Sequence, residues 1–202
     1  MSYPDYFHDP YLSPTKVSGL GEELQHRYQV LREQFSGIDR YSIALHHPVT
    51  NRLTTFVWGG EIETPLKGYS VAVDDVPALK RLASGGNVRV VNDMRGFRQE
   101  GIAKHSAALL GQGLRSSLTM PISFNGQWLG LMFLNSKQID YFNRSVVVYC
   151  TLWAQWVGQV LGQQLDEAGR LSKLASKLNH KEIDCSAEKV SGIVHLMACH
   201  LL

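Results

Sequence analysis

The dipeptide Asn125-Gly126 separates two β-rich runs, 114–124 and 127–135. Both central residues of a type I′ turn need positive φ, which Asn and Gly accept readily, so the two runs must fold back on each other as a hairpin. A two-residue loop also sets the register. Pairing outward from Phe124 and Gln127 places Ile122 beside Leu129, Met120 beside Leu131 and Leu118 beside Phe133. That face is wholly apolar and predicts a buried layer. The other face pairs Ser123 with Trp128, Pro121 with Gly130, Thr119 with Met132, Ser117 with Leu134 and Arg115 with Ser136. Small polar, apolar and cationic groups on one face suit a ligand cavity, though they also suit a half-solvated sheet. The long segment 60–113 favours the cavity, because its helical pieces need a surface to cover.

The rest of the chain supplies that cover. Leu20, Leu24, Tyr28, Leu31 and Phe35 recur at helical spacing, predicting a helix over 17–35 that ends at Gly37. Residues 41–46 and 53–58 alternate like strands around the turn 48–51, a second hairpin. A short helix is expected over 76–83, a third strand over 88–91, and one or two helical pieces over 97–111. Residues 145–178 read as one long helix, although Gly158, Gly162 and Gly169 lie inside it. Long helices flanking an antiparallel sheet make an α+β protein.

Composition narrows the function. Twenty Lys+Arg against eighteen Asp+Glu, with no basic block, give neither a nucleic-acid face nor an electrostatic membrane anchor. The most apolar stretch, 146–161, is too short and too polar to span a bilayer. The first residues lack the pattern of a signal peptide. Cys150, Cys185 and Cys199 have no metal spacing and read as free thiols in a reducing compartment. A cytoplasmic protein without nucleic-acid or membrane partners is expected.

Three segments carry a family resemblance: Tyr-Ser-Ile-Ala-Leu-His-His-Pro-Val-Thr-Asn-Arg-Leu-Thr-Thr-Phe-Val (41–57), Val-Arg-Val-Val-Asn-Asp (88–93), and Leu-Arg-Ser-Ser-Leu-Thr-Met-Pro-Ile through Asn-Gly-Gln-Trp-Leu-Gly-Leu-Met-Phe-Leu-Asn-Ser (114–136). Over about 17–165 the chain resembles the GAF domain of bacterial signalling proteins. The resemblance implies an antiparallel sheet with long N- and C-terminal helices on one face and short helices and loops over a cavity on the other. It also implies a small-molecule sensor rather than an enzyme. The Asn-Lys-Phe-Asp-Glu set of cyclic-nucleotide GAFs is not found. Bilin-binding GAFs and free methionine sulfoxide reductases need cavity cysteines, and none precedes Cys150. The ligand and any cofactor stay unknown at this point. The tail is more weakly similar to the opening of an HD-GYP phosphodiesterase. In it His180 and Asp184 stand at the right distance, Glu188 replaces the second histidine, and Cys185-Ser186 replaces Thr-Gly. The implied organisation is an irregular lead-in over 1–16, the sensory domain over 17–165, and a helical extension over 166–202.

Candidate site residues follow from the two faces. Arg115, Ser117, Thr119 and Met132 are expected on the cavity floor, with Trp58, Asp93, Arg95 and His105 in its walls. Arginines offer forked donors to an anion, and Trp58 or Tyr69 could stack on a planar ligand. Each has a plainer reading as a solvated cation, a packing aromatic or, for Asn92-Asp93, a turn. His46 and His47 point to opposite sides of a strand, and His195 and His200 are five apart, so neither pair chelates a metal. No GxSxG, P-loop, GxGxxG or HExxH motif occurs.

The last long helix carries Val157, Leu161, Gln164, Ala168, Leu171, Ala175 and Leu178 at alternating spacings of four and three, a coiled-coil seam. Its first half must lie on the domain's own sheet; beyond about Gln164 it needs another partner, and a parallel homodimer is expected. The functional expectation is therefore a non-enzymatic sensory or regulatory protein that binds an unidentified small molecule and relays its state through dimeric helices. The alternative is an interaction and dimerisation module with a vestigial cavity.

Overall fold

The computed structural model describes residues 19–60, 70–96 and 103–177. In chain order these form α1 (Leu20–Gln34), β1 (Arg40–His47), β2 (Arg52–Gly60), β3 (Ser70–Ala72), α2 (Pro77–Gly85), β4 (Arg89–Val91), α3 (Ala103–Gly111), β5 (Ser116–Phe124), β6 (Gln127–Ser136) and α4 (Arg144–Lys177). Six strands make one sheet in the order β3-β2-β1-β6-β5-β4, with every neighbouring pair antiparallel. The architecture is α+β, as the helices and hairpins of the sequence predict. β3 is an addition, because three residues are too few to show a period of two. Among the described residues, no helix is long and apolar enough to cross a membrane.

One face of the sheet is sealed by α1 and α4. Leu24, Tyr28 and Leu31 of α1 meet Tyr41 and Ile43 of β1, Leu118, Met120 and Ile122 of β5, and Cys150, Trp153, Val157 and Leu161 of α4. Tyr28 and Tyr41 stack at 4.2 Å between ring centroids, and Trp153 meets Tyr41 edge-on at 6.3 Å. The polar ends of the two tyrosines are satisfied: the Tyr28 hydroxyl donates to the Ile38 carbonyl and that of Tyr41 to Gln25. Val157 and Leu161, the first members of the seam, belong to this core.

The hairpin turn forms where Asn125-Gly126 requires it, with φ of 48° and 75°. Its register departs from simple outward counting. Ser123 pairs with Trp128, but Ile122 pairs with Gly130, so Leu129 is an extra residue on β6, a β-bulge. Each pair beyond it shifts by one, and a one-residue shift exchanges the faces of a strand. Met132 and Leu134 therefore join the helix-covered core, while Leu131 and Phe133 turn to the opposite side. The expected placement of Met132 on the cavity side is corrected by this bulge. Gly130 also brings β6 against β1, where a Cβ would collide with the Ala44 carbonyl oxygen.

Two glycines inside α4 have a packing reason. A Cβ on Gly158 would strike the Ser123 carbonyl oxygen, and one on Gly162 would enter the Phe124 ring. The helix can lie against the hairpin tip because both positions lack a side chain.

Candidate functional site

The face away from α1 and α4 is built from rows of cross-strand neighbours. Arg40 of β1 lies beside Asn135 of β6, then Ser117 of β5, then Val91 of β4. The next row runs Trp58, Ser42, Phe133, Thr119 and Arg89. A third holds Thr55, Ala44, Leu131 and Pro121. In β1 and β5, the large apolar residues go to the helices and the small, polar or charged ones come here, each by the period of two.

Two short helices cover this face unequally. α2 sets Leu79 and Leu82 on Leu53, Leu131, Val73 and Val76, a small apolar core over the β1–β2 end. At the other end Leu109 of α3 packs with Val91, Met94 and Leu114. Between the two covers lies a cavity of about 60 Å³. Its floor is Arg40, Ser42, Thr55, Ser117, Phe133 and Asn135; Arg89 and Val91 close one side, and Leu79, Ser106 and Leu109 come from the helices above. A volume of that size holds several waters or a small organic molecule.

Both arginines are held in low-dielectric surroundings. Arg40 is 2% exposed, and its Nη1 donates to Asn135 Oδ1 at 2.9 Å. Burial pulls its pKa down to about 10. Arg89 donates from Nη2 to Thr119 Oγ1 at 3.1 Å, and burial lowers its pKa too. No Asp or Glu is among the described residues that line the cavity.

Of the eight residues singled out in the sequence, Ser117 lines this cavity. Thr119 is fully buried on the same face and holds Arg89. Trp58 sits opposite Ser42, in the same row but outside the lining. Arg115 precedes β5 and is engaged elsewhere, where its Nη1 donates to the carbonyls of Leu110 and Leu114 and ties down the end of α3. Asp93 and Arg95 are engaged with each other on the surface at 2.6 Å, and hydrogen bonds from Arg95 hold the Asp93 carboxyl at about 2. Neither lines the cavity. His105 belongs to α3, but its side chain, like Tyr69, Arg98 and the tail from 178 with His180, Cys185, His195 and Cys199, lies outside the described residues.

Residues that sequence reasoning passes over do more of the lining. The strand alternation that begins at Tyr41 extends back by one residue, and so extended it assigns Arg40, Ser42 and Ala44 to one face. Arg89 lies within the run 88–91 and pairs with Thr119, a floor candidate. Phe133 and Asn135 are hidden from simple counting by the bulge. His46 stacks on Trp128 at 4.4 Å and bonds to Asn51, whose amide reaches Asp74. That chain of contacts fastens the β1–β2 turn to the start of α2. Among the described residues, no group of three His, Cys, Asp or Glu side chains could hold a metal ion.

No family model matches the sequence, and no curated protein matches it. Solved structures do. The GAF domain/HD domain protein from Geobacter sulfurreducens superposes with a TM-score of 0.61 at 14% identity, covering 75% of this chain and 97% of that one. The GAF domain of a phosphoenolpyruvate-protein phosphotransferase from Coxiella burnetii gives 0.59 at 14% identity, covering 78% and 89%. The free methionine-R-sulfoxide reductase from Neisseria meningitidis, solved with its substrate, gives 0.53 at 16% identity, covering 70% and 77%. The fold of this chain is the GAF fold.

Proposed function

We propose that the chain is a sensory or regulatory GAF domain that binds a small molecule in the cavity between its sheet and α2–α3. One observation carries this reading: a cavity with a polar, cationic floor, set in a fold otherwise packed with apolar residues. The bound state is passed through the sheet to α4, and the domain works as a homodimer. Val148 and Leu152 support the dimer, because they are 56% and 61% exposed on the outer side of α4. The helix also outruns its own sheet: from Gln163 to Arg170 only Ala168 is buried. The sensory domain is assigned to 17–165 and the relay to the extension beyond.

The same reading makes the domain non-enzymatic. Cys150 lies in the helix-covered core across the sheet from the cavity, and burial pushes its thiol up to about 12. It is not a cavity nucleophile. Native mass spectrometry of freshly purified protein, compared with denatured protein, tests the proposal. A dimer that releases a defined small mass supports it. A dimer that carries nothing favours an interaction module with a vestigial cavity, and a monomer removes the helical relay.

A further inference from the structure

We propose that the cavity takes a small uncharged molecule that presents a hydrogen-bond acceptor and a donor side by side, as a primary carboxamide does, on a short hydrocarbon. Asn135 donates to its carbonyl, Ser117 accepts from its N–H, and Ser42 adds a second donor to the carbonyl. The inference rests on the ligand-binding reading above and specifies its chemistry.

These three side chains line the cavity and are almost wholly buried, with Ser42 5%, Ser117 8% and Asn135 1% exposed. Among the described residues, the hydroxyls of Ser42 and Ser117 have no hydrogen-bond partner. Asn135 accepts from Arg40 at Oδ1, which fixes the orientation of its amide and leaves Nδ2 as the open donor. Buried polar groups are ordinarily paired. Three left open around one space are groups for a ligand to pair.

The strand register sets their spacing. Ser117 is the direct partner of Asn135 on β5. Ser42 is its diagonal neighbour on β1, since Arg40 pairs with Asn135 and Ser42 with Phe133. Direct partners hold their Cβ atoms about 4.5–5.5 Å apart and diagonal ones about 7–8 Å. The nitrogen and oxygen of one carboxamide can therefore meet Ser117 and Asn135 together, through bonds of about 2.9 Å. Ser42 then approaches the carbonyl from the other flank.

Charge and size narrow the class further. Arg40 is engaged with Asn135 and Arg89 with Thr119, and each makes a further interaction. The open groups are all uncharged, and no Asp or Glu is among the described lining. An ionised ligand would exchange its water there for neutral partners, at a high cost. Phe133, Val91, Leu79 and Leu109 offer apolar walls to a hydrocarbon. A space of about 60 Å³ takes roughly four to six heavy atoms.

Three five-atom isosteres test this by NMR titration of the backbone amides of the full chain: propionamide, 2-butanone and propionate. Propionamide is expected to shift amides of β5 and β6 and to bind at least about fivefold more tightly than 2-butanone, which lacks the donor, and than propionate, which is charged. Ser117→Ala is expected to weaken propionamide by about fivefold and leave 2-butanone unchanged, a selectivity that a merely structural role would not produce. The ranking of the three ligands on the parent protein needs no variant. Equal binding of 2-butanone overturns the donor–acceptor assignment, and tighter binding of propionate overturns the uncharged class. No shift in β5 or β6 with propionamide up to about 10 mM overturns the assignment as a whole, while the mass measurement still judges the sensory reading separately.

Discussion

The two faces of the sheet are made by the same strands and do opposite things. Toward α1 and α4 lie Tyr41, Ile43, Leu118, Met120, Met132 and Leu134, all at most 1% exposed and in contact with aromatic and aliphatic side chains. Toward α2 and α3 lie Arg40, Ser42, Ser117, Thr119 and Asn135, also buried but polar. For these residues burial is nearly equal on the two sides, and chemistry is not. One side is packed for cohesion. On the other, polar groups are kept out of water around a space, an arrangement that stability alone does not favour.

The sharpest test uses neighbouring residues of β5. Leu118→Ala should cost about 2–5 kcal/mol in urea unfolding, because its contacts are lost and a cavity is left. Ser117→Ala should cost less than about 1.5 kcal/mol, because its hydroxyl borders a space that already exists. Equal costs would break the contrast between the faces.

Close packing on the helix side also gives the glycines of α4 unequal weights. Gly158→Ala should destabilise by about 1–3 kcal/mol despite alanine's better helix propensity, since the backbone of Ser123 stands in its way. Gly169→Ala meets nothing within 4 Å and should stabilise by roughly 0.5–1 kcal/mol. Thermal melts of the two variants should shift in opposite directions.

Alkaline titration separates the faces further. The helix-covered core holds Tyr41 and Cys150, and burial raises both pKa values, that of Cys150 from 9.0 to about 12. The folded state keeps these protons while the unfolded chain releases them. Their contribution is therefore complete below pH 9 and declines as the pH rises toward 12. Cys150→Ala should make the loss of stability between pH 9 and 12 less steep. An unchanged slope would show that the thiol is not shielded.

The smallest effect belongs to the exposed Asp93–Arg95 pair. Its carboxyl is depressed to about 2, so its contribution is present above about pH 4 and fades as the pH falls through 2. A carboxyl carbon titration by NMR should give a midpoint near 2. A midpoint in the ordinary carboxylate range would mean that the pair is open in solution.

Local chemistry makes much of this legible. Asn125-Gly126 locates the hairpin, the α1 stripe names Leu24, Tyr28 and Leu31, and the apolar period carries α4 to its observed length. The register of β6 is not legible. From Trp128 to Leu134 every residue is apolar or glycine, so no polar contrast marks which way a side chain points or where an extra residue sits. Deleting Leu129 should remove the bulge and leave the pairs from Ile122–Gly130 onward unchanged, which backbone amide exchange would show. In the site, Ser117 can be placed by alternation within one hairpin. Arg40 and Arg89 require long-range pairing between β1, β6, β5 and β4, and in a sequence a buried arginine looks like a solvated one.

The contact of α4 with the hairpin tip has a mechanical consequence. Gly158 and Gly162 press the helix against Ser123 and Phe124, and fifteen further residues of helix extend past Gly162 to Lys177. At 1.5 Å per residue that arm is about 22 Å long, so a tilt of about 5° at the glycines swings its far end by about 2 Å. By geometry alone, such a tilt at the hairpin contact would be multiplied along this arm, in which only Ala168 of residues 163–170 is buried.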